Sequence, residues 1–136
     1  MVREEWESEE EKSRFFETIT DAEELHLYAD GFNWDTGVEG MRRVIQHPLC
    51  DRGTALLIYW RGSPGFFARF ASRTETTNPD QAEHFDLLLE IEQKVIAGHF
   101  PSRRFHYDPK KDKGKDMTAR HNTVPRKRTI PQEMFG

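Results

Sequence analysis

His47-Pro48-Leu49-Cys50 is where the types and spacing of residues first suggest chemistry. It sets an imidazole and the single cysteine of the chain three positions apart in a turn. Such a pair is half of a zinc site, but structural zinc takes four ligands, usually with a second close pair. His84, His99, His106 and His121 are scattered and supply no second pair, so the sequence offers no metal site. The same two residues could form a thiol nucleophile and its base, given a lowered thiol pKa ahead of a helix. The competing reading makes Cys50 a small buried side chain beside a helix cap.

Asp35 and Asp51 lie in turns on either side of a short helical stretch. Paired carboxylates can do acid–base work. Both also stand where Asp commonly caps a helix and satisfies its free amides, and capping is the reading adopted. Gly37, Gly40, Gly53 and Gly62 lack the spacing of a phosphate loop. No catalytic set and no cofactor site assembles, and a non-enzymatic protein is expected.

The elements that hold these turns follow from the apolar pattern. From Ala55 to Trp60 every residue is apolar or aromatic, the most uniform such run in the chain. It is far shorter than the roughly 20 residues a bilayer span needs. Asp51 as N-cap and the Ala/Leu-rich first turn favour a helix buried on all sides. Before it, residues 3–18 read as a charged helix anchored by Phe15, Phe16 and Ile19. A second helix comes after Asp21, with Glu24 completing a capping box, and carries Leu25, Leu27, Tyr28 and Phe32 to a left-handed stop near Gly31. Asn33-Trp34-Asp35-Thr36-Gly37 is a turn in which Asp35 or Thr36 can cap the next helix and Trp34 is a buried anchor. That third helix, about 38–46, aligns Val38, Met41, Val44 and Ile45 on one stripe, and Pro48 stops it. After the break at residues 61–65, Ser63 and Pro64 can open a short fifth helix bearing Phe66, Phe67 and Phe70. Asn78-Pro79-Asp80-Gln81 then starts a sixth, Pro79 to Ala97, whose apolar stripe of Phe85, Leu88, Leu89, Val95 and Ile96 is interrupted by Glu92. Gly98 ends it.

These elements predict a mostly all-α fold. A compact bundle of about six short helices spans residues 1–100, and an extended, partly ordered basic tail spans 101–136. Within the tail, Lys110 to Asp116 reads as a mobile loop that buries nothing, and Val124–Phe135 as a segment able to dock.

Composition narrows the class. The chain has 136 residues, one cysteine and a formal net charge of −4. That charge gives no general attraction to nucleic acid or anionic membrane. An internal disulfide is excluded, and the N-terminus lacks an apolar signal core, so a soluble cytoplasmic protein is expected. Charge is uneven: residues 1–24 carry ten acids against Arg3, Lys12 and Arg14, and residues 101–136 carry ten bases against four acids. Either the ends lie close together or are simply solvated, or one of them meets a charged partner. Glu9, Glu10, Glu11, Glu17, Glu23 and Glu24 are the candidate partner-facing residues.

The stretch from Asn33-Trp34-Asp35 through His47-Pro48-Leu49-Cys50-Asp51-Arg52-Gly53-Thr54-Ala55-Leu56 resembles a family of small bacterial proteins known only as a domain of unknown function. The likeness covers roughly residues 25 to 100. It implies a small helical domain and brings no catalytic residues. Many small bacterial families of this sort are immunity proteins or other partners in toxin systems. The expected function is therefore a protein-binding module, most concretely an immunity protein that neutralises a toxin with a basic domain. The alternative is a nucleic-acid-associated protein that uses the basic tail through Arg103-Arg104-Phe105-His106-Tyr107 and Arg126-Lys127-Arg128.

Overall fold

A computed structural model describes residues 9–122 and 126–135. The apolar run sits where the pattern puts it. Helix α4 (Arg52–Arg61) is buried from Gly53 through Trp60, and α2 (Ala22–Asp30), α5 (Pro64–Phe67) and α6 (Pro79–Ile96) pack around it. Helix α1 (Glu9–Glu17) precedes them, and α3 (Glu39–Gln46) bridges α2 and α6. No strand occurs among the described residues. The fold is the mostly helical bundle expected. Residues 3–8 of the first expected helix lie outside the described residues.

Side-chain caps set the starts of α2, α4 and α6. The carboxylate of Asp21 accepts the Glu23 amide, that of Asp51 accepts the Gly53 amide, and the Asn78 side chain accepts the Gln81 amide. Each satisfies a free donor of a first helical turn. Gly98, at φ +72°, takes the left-handed conformation that closes α6. The stripe Val38, Met41, Val44 and Ile45 is buried.

Other expectations are corrected. Asp35 does not cap α3: that helix starts after Val38, with no side-chain cap. Instead the Asn33 side chain accepts the Asp35 amide and opens a 3-10 turn, Trp34–Thr36. Trp34 is half-buried rather than enclosed. Gly31 closes α2 at φ −96°, not in the left-handed region. Ser63 gives α5 no side-chain cap; its backbone takes φ 59°. Leu27 is 58% exposed, because Leu25, Tyr28 and Ala29 share the buried face of α2 and Leu27 points away from it. On α6, Leu87 and Ile91 are buried beyond the expected stripe, since α3, α4 and the C-terminal segment all cover this helix.

The C-terminal residues return to the helices. Residues 102–105 cross the start of α4, and Arg52 donates its backbone amide to the Ser102 carbonyl at 3.0 Å. The stretch Lys110 to Asp116 does bury a side chain, Asp112, which both Arg61 and Tyr107 hold. Further on, Ile130 and Met134 are buried, and the Trp60 indole donates to the Met134 carbonyl at 2.6 Å. Val124 and Pro125 lie outside the described residues.

Candidate functional site

The turn His47 to Cys50 is built as a joint, not as a reactive centre. The Leu49 amide donates to His47 Nδ1 at 3.1 Å, which leaves Nε2 to donate to the Phe16 carbonyl, also at 3.1 Å. Both ring nitrogens are thus spent on backbone groups, and the imidazole ties the end of α1 to the turn. Cys50 is buried; burial first, then the Asp51 charge, pushes its thiol up to about 12. A thiol so placed stays protonated at neutral pH and is a poor nucleophile. Among the described residues no group of three or more His, Cys, Asp or Glu is placed to hold a metal ion.

Asp51 caps α4, as expected, and does considerably more. The residue is 1% exposed. Besides the Gly53 amide it accepts the Ser102 hydroxyl at 2.6 Å, the Arg104 amide at 2.8 Å and the Phe105 amide at 3.1 Å. Burial alone would raise its pKa; the hydrogen bonds from Ser102, Gly53, Phe105 and Arg104 outweigh that and hold the carboxyl below its usual range. Asp35 is exposed in its own turn. The two aspartates are thus a buried clasp and a surface residue.

The candidate partner-facing acids divide in three. Glu10, Glu17, Glu23 and Glu24 are exposed. Glu11 is half-exposed, and the Glu9 side chain lies outside the described residues. Glu10 reaches Arg14 at 4.0 Å across one helical turn, whereas Glu17, Glu23 and Glu24 form no ion pair among the described residues. Glu17 ends α1 and the other two open α2, so all three flank the short link 18–21.

Beside Glu17 the surface dips into a groove of about 650 Å3. Its apolar walls are Phe16 and Ile19 on one side and Pro48 and Leu49 on the other. Leu49 is 38% exposed. The sequence reading missed this feature, and the available signal was Leu49 itself, an apolar residue set in a turn between Pro48 and Cys50.

Four of the ten tail bases pair within the molecule, whereas Arg103, Lys110, Lys111, Lys115 and Arg126 are exposed and form no ion pair among the described residues. Arg104 pairs with Asp21 at 3.0 Å, Lys113 with Asp30 at 3.4 Å, Lys127 with Glu75 at 3.1 Å and Arg128 with Glu92 at 2.7 Å. Arg61, from α4, holds Asp30 at 2.6 Å and Asp112 at 2.8 Å. Opposite charges from the two ends of the sequence do meet, at Asp21 and Arg104.

The model of one family, described as Domain of unknown function (DUF4274), matches residues 20–96, more than half of the chain. The chain belongs to this family. No curated protein and no solved structure matches it. The DUF4274 region begins just ahead of the α2 cap and ends on the last residue of α6. It therefore contains α2 to α6, the joint at His47 and the clasp at Asp51, whereas α1 and the segment gripped by Asp51 lie outside it. One wall of the groove, Pro48 and Leu49, is within the DUF4274 region, and Phe16 and Ile19 are outside.

Proposed function

We propose that this protein is a non-enzymatic protein-binding module whose partner is a basic protein, and that it works in the cytoplasm as an immunity protein masking a toxin domain. The observation that carries the reading is which charges the fold leaves over. Glu17, Glu23 and Glu24 cluster at the link between α1 and α2, exposed and with no ion pair among the described residues, while Arg104, Lys113, Lys127 and Arg128 of the tail are paired internally and Arg103, Lys110, Lys111, Lys115 and Arg126 are not. Unpaired surface carboxylates steer a cationic partner and favour it over an anionic one. The immunity role itself rests on analogy with small bacterial families of this kind. The pairing of Arg104, Lys127 and Arg128 takes three of the five bases that the nucleic-acid alternative would use for phosphates and leaves it Arg103 and Arg126. No helix among the described residues is long and apolar enough to cross a membrane.

The test is affinity capture of the protein encoded by the adjacent gene, at low and at high salt. The full chain carrying Glu17→Lys, Glu23→Lys and Glu24→Lys should bind it at least about tenfold more weakly, and the loss should shrink as salt screens both forms. An unchanged complex sinks the acidic-face reading. Loss of binding on neutralising Arg103, Lys110 and Lys111, with the glutamate variant unaffected, transfers the interaction to the tail.

A further inference from the structure

We infer that the groove beside Glu17 is the anchor point for the partner, and that it takes the apolar face of a basic amphipathic helix. This deepens the protein-binding reading and rests on it. Three observations point the same way.

The first is size. At about 650 Å3 the groove falls within the range of small-ligand pockets and has room for two or three aliphatic side chains. A helix lying in a groove presents such side chains at i, i+3 and i+4.

The second is that the groove is preformed. The His47 ring bonds the Phe16 carbonyl with one nitrogen and the Leu49 amide with the other, so it fixes the spacing of the two apolar walls. A groove held in this way spends little binding free energy on ordering itself.

The third is charge. Glu17 lines the groove, exposed and without an ion pair among the described residues, and Glu23 and Glu24 come just past the link. Arg43 also lines the groove, with its guanidinium bonded to Glu39 at 3.2 Å. An occupant with an apolar face and flanking Lys or Arg therefore satisfies groove and rim together. An acidic or purely polar segment satisfies neither.

The experiment titrates the isotope-labelled full chain with three synthetic helical peptides, read by amide chemical shifts. One peptide has a Leu face and Lys flanks, one replaces each Leu by Ser, and one replaces each Lys by Glu. The Lys/Leu peptide should move the Ile19 and Leu49 signals and bind about tenfold or more tighter than the Lys/Ser peptide. Leu49→Glu, and independently the milder Leu49→Ser, should erase that advantage. Glu17→Lys with Glu23→Lys and Glu24→Lys should weaken both lysine peptides. Equal binding of the Lys/Leu and Lys/Ser peptides overturns the groove while leaving the acidic face intact. Failure of both lysine peptides overturns groove and reading alike. Binding of the Glu/Leu peptide as tight as that of Lys/Leu also overturns the inference. So does self-association that Leu49→Glu abolishes, since a second copy then fills the groove. So too does displacement of the Ile19 and Leu49 signals by Trp6→Ala alone, since the chain's own N-terminal residues then fill it.

Discussion

Gly53 lies directly beneath the backbone of Phe105: a Cβ placed on Gly53 would collide with the Phe105 carbonyl group. The obstacle is backbone rather than the end of a flexible side chain, and that backbone is pinned by Asp51 through the Arg104 and Phe105 amides. Gly53→Ala must therefore push residues 102–105 off the start of α4 or strain the helix. A cost of about 2–3 kcal/mol is expected, at the upper end of overpacking penalties. Urea unfolding should show the midpoint falling. The Phe105 ring, stacked on His26 at 4.6 Å, should also report a changed environment in the His26 signals.

Asp51 should be the more damaging position. Replacement by Ala removes one acceptor from four donors, three of them on the crossing segment. A lost cap costs about 1 kcal/mol and each buried donor left unsatisfied about 1–3 kcal/mol, so a total of roughly 3–5 kcal/mol is expected after partial relaxation. The sign with pH is set by the direction of the shift. A carboxyl held below its unfolded value contributes stability that is present above roughly pH 4 and is lost as pH falls through the folded pKa. Acid titration of unfolding should therefore show a shallower loss below about pH 4 in Asp51→Asn than in the wild type. An identical slope would remove Asp51 from the acid transition.

How much of this was legible depends on where each signal resides. Burial of α4 was readable because all its positions from Ala55 to Trp60 are apolar, leaving no face for water. The cap at Asp51 was readable because its first client, the Gly53 amide, is two residues away. Its other clients come from residues 102–105, about fifty positions later, and two of them are backbone amides, which have no sequence signature. Glu92 announced itself as a break in an apolar stripe, but nothing local named Tyr59 and Arg128 as its partners. The four paired bases of the tail looked free for the same reason: their counter-ions, Asp21, Asp30, Glu75 and Glu92, are spread over the preceding helices and turns. The groove was hidden because its walls come from two segments about thirty residues apart.

His84 should make the fold sensitive to mild acid. Its ring lies between Trp34 at 5.3 Å and Phe67 at 4.3 Å, with Nε2 at 2.7 Å from the Gly62 carbonyl. Burial holds its pKa below the ordinary value, against the opposing pull of that carbonyl. His26 is shifted the same way, chiefly by burial, with Asp30 and Asp51 opposing. A histidine depressed in the folded state is more readily protonated when unfolded. Stability should thus be full above about pH 6.5 and decline as pH falls towards the folded pKa. Unfolding measured from about pH 7.5 down to about pH 5 should show that decline. His84→Gln, which cannot titrate, should flatten part of it while losing about 1 kcal/mol of ring stacking at neutral pH. If the slope is the same in both proteins, His84 is not the titrating group.

Arg128 and Glu92 give a prediction about the C-terminal segment as a whole. Glu92 is 4% exposed and has two side-chain partners among the described residues, the Tyr59 hydroxyl at 2.6 Å and the Arg128 guanidinium at 2.7 Å. Tyr59 is a neutral donor, its pKa raised first by burial and then by the Glu92 charge, so only Arg128 brings a countercharge to that carboxylate. Removing one member of a buried pair leaves the other charge uncompensated, which costs about 3–5 kcal/mol, while removing both is often close to neutral. Arg128→Met should therefore be strongly destabilising alone and much less so in a Glu92→Gln background, where the amide can still accept the Tyr59 hydroxyl. A double-mutant cycle on urea unfolding checks this, with an expected coupling of about 2 kcal/mol or more. Near-additive single effects would mean that Ile130 and Met134 dock the segment by burial alone, and that the ion pair forms only as a consequence.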